Sequence, residues 1–340
     1  MMLEAALSTI ATLIASASLT GFVRKFALTH RLLDIPNDRS SHSTPTPRGG
    51  GLAIVMTLLA AIAILGVMGV ITARLAVSML AAGGAVAAVG FVDDKWQVAA
   101  PIRLTVHFAC VSMFVWSVGR LPPVDFGIAM WDLGIFGSAL GVVTLVWFLN
   151  LFNFMDGIDG LAGVEAVSVA ATAAAVLVAR GAESPAPLLL LLTAAAAGGF
   201  LIWNWPPARI FMGDAGSGFL GFLLGAIAWL AISSGQLSIW VWLILYGAFF
   251  VDATVTLSRR WARGEPLSIA HRSHAYQRLS RRFGSHRKVT LGYLTVNIVW
   301  LAPIAWFAAA HASLGAVLML AAWTPLAIYS WRCGAGLPGD

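Results

Sequence analysis

The sequence predicts an all-α polytopic membrane protein, a bundle of about eleven transmembrane helices with a polar cleft on its cytoplasmic face, and three observations carry the prediction. Only 11% of the 340 residues are charged, while 59% are hydrophobic. The apolar residues run in long unbroken blocks. The acids and asparagines between those blocks fall largely in the same connections as the lysines and arginines.

A water-soluble domain carries about 25% charged residues. A chain with a mean hydropathy of +0.85 has too few charges to coat a globular surface, so lipid is its solvent. In hydrocarbon every backbone polar group needs an internal partner, which leaves helices or closed barrels. Barrel strands alternate over ~10 residues, whereas a spanning helix needs roughly 20 apolar residues in a row. The blocks here are of the second kind, at 3–23, 51–71, 75–92, 104–119, 135–153, 161–179, 187–203, 217–233, 238–257, 289–310 and 314–331. No repeat, low-complexity stretch or soluble unit interrupts them, so residues 1–340 read as a single integral-membrane domain. Glu4 precedes the first block and Arg24 and Lys25 follow it, the reverse of a cleavable signal peptide, so it is expected to stay as a span with the N-terminus outside. Cys110 and Cys333 support neither a disulfide framework nor a thiolate metal site and read as packing residues.

Charge sets the orientation. The first, third, fifth, seventh and ninth connections hold 17 of the 21 basic residues, and the even ones only Arg74, Arg120 and Arg180. Short basic loops stay cytoplasmic, so the odd connections are expected to face the cytoplasm of a bacterial inner membrane. That count ignores the acids. Yet Asp93 and Asp94 open the third connection, Asp156 and Asp159 lie in the fifth and Asp214 in the seventh, with Asp252 about one turn before the ninth. Carboxylates on a face crowded with arginine point to a divalent cation or a polyphosphate held between them.

The run from Asn150 to Gly160 is the most informative, because Asn150, Asn153, Asp156 and Asp159 recur at intervals of three. Residues three apart are neighbours on a helix, so Asn150 and Asn153 can share a face. Two carboxylates beside glycines suit Mg²⁺, which takes oxygen ligands and keeps substrate phosphate in its shell. Helix capping accounts for Asp159 but not for four polar residues at one spacing. Gly213-Asp214-Ala215-Gly216 opens the eighth block, where free backbone N–H groups favour anions. An acid there fits a metal that bridges to phosphate. Asn204 stands between Trp203 and Trp205, which read as interfacial residues.

His271, Arg272, His274 and Arg278 crowd one stretch of the ninth connection. Arginine meets phosphate bidentately, so diphosphate binding is one reading; a solvated basic helix and a zinc pair are the others. In the first connection Arg39, His42 and Arg48 are candidate phosphate contacts among stiff prolines. Glu165, one turn into the sixth block, is expected to face the bundle interior.

Five motifs together carry a resemblance: Pro45 to Gly51, Asp93-Asp94, Asn150 to Gly163, Phe211 to Gly218 and His271 to Arg278. With them the chain resembles the polyprenyl-phosphate N-acetylhexosamine-1-phosphate transferases (glycosyltransferase family 4), relatives of the phospho-MurNAc-pentapeptide translocase. The resemblance spans nearly the whole chain and implies a bundle of ten or eleven helices with a cytoplasmic cleft. It implies transfer of sugar-1-phosphate from a UDP-N-acetylhexosamine to undecaprenyl phosphate, with Mg²⁺, or Mn²⁺ in its place, as cofactor. By the same likeness Asp214 corresponds to the metal ligand, and Asp93, Asp94 and Asp156 to the acidic cluster. Asn204, Phe211 and Asp159 fall where relatives hold uridine, and His271 and His274 replace a histidine cluster, with Arg272 and Ser273 between them. Asp252 and the Gly264-Glu265-Pro266-Leu267 stretch look closer to the N-acetylhexosamine branch, which implies O-antigen or another surface polysaccharide. The partners expected are thus the nucleotide sugar, the polyprenyl phosphate, membrane lipids and, in a homodimer, a second copy; nucleic acid is not among them. A secondary transporter is the alternative, but its acids belong near the bilayer midplane.

Overall fold

The computed structural model describes residues 2–36, 44–266 and 271–338. Its helices are α1 (Met2–Thr29), α2 (Gly51–Val67), α3 (Ala73–Trp96), α4 (Ala100–Val118), α5 (Gly134–Met155), α6 (Leu161–Ala179), α7 (Ala186–Asn204), α8 (Asp214–Ser233), α9 (Ile239–Leu245), α10 (Gly247–Ala262), α11 (Ala275–Phe283), α12 (His286–Thr295), α13 (Ala302–Ala310) and α14 (Gly315–Arg332). A π-helical turn, Val296–Leu301, joins α12 to α13 in one apolar rod. Two short antiparallel ladders, Leu33–Asp34 with Thr46–Pro47 and Val124–Asp125 with Met130–Trp131, tie two of the connections.

Every expected apolar block is helical, and the chain is an all-α, multi-pass membrane protein. Among the described residues nine helices are long and apolar enough to cross a bilayer, and the bent pair α9–α10 makes a tenth. The expected count of eleven is met only with α2, which at 17 residues is shorter than the rest. Two boundaries differ from expectation in a way that matters. Helix α3 runs through Asp93 and Asp94 to Trp96, so those acids sit in its last turn and not in a loop. The ninth block breaks at Tyr246 with a bend of 76°, and α10 then continues to Ala262, leaving Asp252 in mid-helix. Helical hydrogen bonding extends past the apolar stretch wherever a polar end finds protein partners.

Helix α8 is the centre of the bundle, packed against α2, α3, α4, α5 and α7. Small residues make this possible. Gly51 and Gly216 meet backbone to backbone where α2 crosses α8, and a methyl group on either would overlap the other chain. Close approach through small residues is how helices associate where lipid removes the hydrophobic drive. The exposed side chains Leu3, Leu7, Ile10 and Ile14 on α1 and Val317 and Leu320 on α14 are apolar, as a lipid-facing shell requires.

The connections segregate into two ends. At one, Trp229 Nε1–H donates to Gly119 O at 3.0 Å and Trp240 Nε1–H to Asp125 O at 2.6 Å, gathering even-numbered connections. At the other, Arg48, Asp94, Asp159, Ala208, Asp214 and His286 are joined by hydrogen bonds and ion pairs. The odd-numbered connections therefore share one end, as charge counting anticipated.

Candidate active site

Backbone pairing places the first charged group. Phe211 N–H donates to Pro47 O at 2.8 Å, Gly50 N–H to Phe211 O at 2.9 Å and Gly51 N–H to Met212 O at 2.9 Å. These bonds lay the segment before α2 along the segment before α8 and bring Arg48 to Asp214. Arg48 Nη2 is 2.7 Å from Asp94 Oδ1 and 2.9 Å from Asp214 Oδ1. Burial alone would lower the guanidinium pKa, but Asp94 and Asp214 outweigh it and the net shift is upward. Arg48 is a fixed cation.

Asp94 has a second task. Its Oδ1 accepts Asp214 N–H at 2.9 Å and its Oδ2 accepts Ala215 N–H at 3.3 Å. A carboxylate from α3 thus caps α8, satisfying N–H groups that the helix cannot pair itself. Asp93 pairs with Arg103, and its Oδ1 also accepts Val98 N–H at 2.7 Å. Arg103 comes within 3.9 Å of Asp214 Oδ2, so a second cation flanks that acid.

Between these groups opens a cleft of about 220 Å³. Arg48, Asn153, Asp156, Asp159, Asn204, Phe211 and Asp214 line it, seven of the residues singled out from sequence. Asp34, Gln277 and His286 join them. The carboxyl of Asp156 is pushed well above the ordinary range, by desolvation first and by the negative charge of Asp214 second. Asn204 is buried: its Oδ1 accepts Gly160 N–H at 2.8 Å and its Nδ2 donates to Ile210 O at 2.9 Å. It shapes the wall. Gly160 has φ +74°, a left-handed conformation that suits glycine, and is itself the N-cap of α6. Asp159 is therefore not the cap that sequence allowed; its Oδ2 accepts Ala208 N–H at 3.0 Å and its Oδ1 lies 3.2 Å from His286 Nδ1.

Several of the expected residues lie away from the cleft lining. Asp93 and Asp94 stand behind the cleft wall, bound to arginines and backbone. Asn150 does not share a cleft-facing role with Asn153: its amide donates to Val146 O at 2.7 Å and lies 3.4 Å from His107 Nδ1. His271, Arg272 and His274 do not line the cleft. His274 is only 2% exposed, stacked on His271 with ring centroids 4.9 Å apart, and its Nδ1 is 3.5 Å from Asp252 Oδ1. Asp252 accepts the N–H groups of Ala275 and Tyr276 at 2.9 and 3.0 Å and the hydroxyl of Tyr293 at 2.7 Å, fixing α11 to α10. Tyr276 in turn donates to Phe154 O at 2.9 Å and presses against Gly157, where a methyl group would overlap its hydroxyl. The histidine stretch acts as a buttress behind the Asn153–Asp159 wall. Burial, then the neighbouring His274 and Arg260, lower the His271 pKa to about 3, so it offers no positive charge to a diphosphate near neutrality. Arg39, His42 and Leu267 lie outside the described residues.

Among the described residues no group of three or more His, Cys, Asp or Glu side chains is arranged around a metal site. Asp156 and Asp214 put two carboxylates beside Arg48 on the cleft, whose lining also holds Asp34, Asp159 and the imidazole of His286. The two carboxylates fit a hard cation that takes one or two of them and completes its shell with water and phosphate. Three contributors escaped the sequence reading. Arg103 counted there only toward topology, His286 was not singled out, and Gln277 passed unremarked inside the His271–Arg278 stretch.

The chain has clear relatives. The model of the family described as glycosyl transferase family 4 matches residues 76–234, a stretch that carries Asp93, Asp94, Asp156, Asp159, Asn204, Phe211 and Asp214. A probable undecaprenyl-phosphate N-acetylglucosaminyl 1-phosphate transferase of Bacillus subtilis is 28% identical over 303 residues, covering 88% of this chain and 84% of the relative. A decaprenyl-phosphate N-acetylglucosaminephosphotransferase of Mycolicibacterium smegmatis is 30% identical over 313 residues, covering 82% and 76%. A phospho-N-acetylmuramoyl-pentapeptide-transferase of Lactococcus lactis is 31% identical over 243 residues, covering 66% and 69%. The matched stretch supplies the acids at the ends of α3, α5 and α8 that the bundle gathers at one end, and with relatives alike over most of their length the chain belongs to glycosyl transferase family 4.

Proposed function

We propose that the protein transfers an N-acetylhexosamine-1-phosphate from a UDP-sugar to undecaprenyl phosphate, releasing UMP and starting a lipid-linked surface glycan such as O-antigen. The observation that carries this reading is the Arg48 bridge between Asp94 and Asp214 at the rim of a cleft lined by further acids. Alternating fixed charges of this kind suit a diphosphate that arrives with a cation. The cleft lies at the helix ends, where a lipid phosphate and a soluble nucleotide sugar can meet, and the basic connections at that end support a cytoplasmic orientation.

Phosphoryl transfer asks mainly for positioning and charge neutralisation. A phosphate monoester with a second pKa of about 6 is mostly dianionic at neutral pH, so the acceptor needs no strong base. Its oxygen attacks the β-phosphorus of the UDP-sugar in line, the bond from that phosphorus to the bridging oxygen breaks, and UMP leaves with the electron pair. Arg48 offsets the charge building on the diphosphate. Asp94 holds the start of α8 in place, and with it Asp214. Asp214, with Asp156 beside it, would hold Mg²⁺ or Mn²⁺, which would supply further charge neutralisation. Asp93, held by Arg103 and Val98 N–H and in contact with Asp214, belongs to the same charged cluster.

The test uses purified protein in nanodiscs with undecaprenyl phosphate. Labelled UMP should exchange into UDP-N-acetylglucosamine or its C4 epimer, and only with divalent cation present. A protein that is folded yet gives no exchange with any UDP-N-acetylhexosamine ends the proposal.

A further inference from the structure

His286 reaches the cleft wall from the first turn of α12. Its Nδ1 accepts the Asp159 N–H at 3.3 Å and stands 3.2 Å from Asp159 Oδ1. A ring nitrogen serves one of these partners at a time: bare, it accepts the N–H, and protonated, it donates to the carboxylate. In both states Nδ1 belongs to Asp159. Four residues further, Thr290 Oγ1 donates to Asp159 O at 2.8 Å. Residues four apart share a helix face, so one face of α12 grips the Asp159 backbone from both sides. With Oδ2 taken by Ala208 N–H, Asp159 is held at every polar corner. The ring atom of His286 left for a ligand is Nε2.

Asp159 and His286 together border a second, more open hollow of about 630 Å³ beside Pro206, Pro207 and Arg287. They form the partition between this hollow and the cleft. The cleft is itself polarised. Arg48, Asp156 and Asp214 form an ionic group; elsewhere the lining has the ring of Phe211, and Asn204 and Asp159, whose polar atoms are engaged by protein, leave His286 to offer a directional hydrogen bond there. A nucleotide sugar has the same division, with a charged diphosphate on one side and a flat base with its ribose on the other.

We infer that His286 determines specificity for the nucleoside of the donor: Nδ1 fixes Asp159, and Nε2 hydrogen-bonds the base or the ribose. The inference rests on the nucleotide-sugar reading of the cleft given above. Two isosteric probes separate the nitrogens, since an asparagine amide reproduces the position of Nδ1 and a glutamine amide that of Nε2. In exchange assays on the full chain, H286N should raise KM for UDP-N-acetylglucosamine about tenfold with kcat little changed, the loss of roughly one hydrogen bond. H286Q should keep KM closer to that of the unaltered protein. Calorimetric binding of UDP to the same proteins, without acceptor, should weaken in the same order. If H286N keeps the original KM and UDP affinity, or if H286N and H286Q lose thermal stability alone, the inference is overturned. Absence of exchange by the unaltered protein would defeat the proposed function, and UDP binding by the three proteins would still decide the role of His286.

Discussion

Asp94, in the last turn of α3, accepts the backbone N–H of Asp214 at 2.9 Å, so one acid of the cluster positions the next. The two carboxylates share Arg48 but do different work: Asp214 faces the cleft, whereas Asp94 holds the helix that presents it.

Exchange of either acid for its amide should separate those roles. D214N is expected to lower exchange activity roughly a hundredfold or more, the scale seen when a transition-state electrostatic partner is removed, with an unchanged melting temperature. D94N should also destabilise the fold by about 1 kcal/mol, because its amide keeps one acceptor oxygen for two N–H groups, those of Asp214 and Ala215. Thermal melts beside activity assays check both. A D94N protein that melts like the original would show that the cap contributes nothing.

His271 makes a prediction about acid. Its folded pKa is about 3, lowered chiefly by burial, against 6.5 for the free side chain. Between those values the unfolded chain binds a proton that the folded one refuses, so stability falls as pH drops from 6.5 toward 3. H271Q removes the titration, and its melting temperature should fall less steeply across that window. Parallel curves for the two proteins would refute the assignment.

Glu165 offers a test inside the membrane. Its Oε2 accepts Asn297 Nδ2–H at 2.6 Å, while Glu165 Oε1 and Asn297 Oδ1 are both buried without a partner. A glutamine supplies the N–H that Asn297 Oδ1 lacks, so E165Q should keep or raise stability and retain activity. E165L leaves the Asn297 amide with Ser168 Oγ alone as acceptor, at 2.8 Å, so one buried N–H loses its partner; this should cost about 1–3 kcal/mol, read as an earlier thermal transition. Equal melts for the two variants would leave the pairing without consequence.

Orientation is checked by labelling. A cysteine beside Arg120 or Arg180 should react with an impermeant thiol reagent in intact cells, and one beside Arg282 should not. The reverse pattern would put the cleft on the outer face and away from any nucleotide pool.

Much of this arrangement was legible beforehand because the membrane simplifies the code. Long apolar blocks have few alternatives to helix, and the charge count sorted their ends correctly: Arg48, Asp159 and Asp214 do meet. What stayed hidden were roles set by three-dimensional neighbours. Asp94 and Asp156 look alike as letters, yet one is consumed by backbone N–H groups and the other faces the cleft. The histidine stretch looked like a ligand site because basic residues crowd it. Its packing against Asp252 joins two separate elements, a contact that hydropathy does not register. His286 had no motif around it, and only the fold of α12 over Asp159 reveals it.

Helix α8 is 94% buried over its apolar stretch, against 17% for α1 and 11% for α14. It has almost no boundary with the bilayer. A change in membrane thickness or in acyl-chain order therefore acts on the outer helices, which can tilt to absorb it, and reaches Asp214 only through the collar of protein around α8. The depth of the cleft is then set by the protein's own packing, so its geometry should hold across a wide range of surrounding lipids.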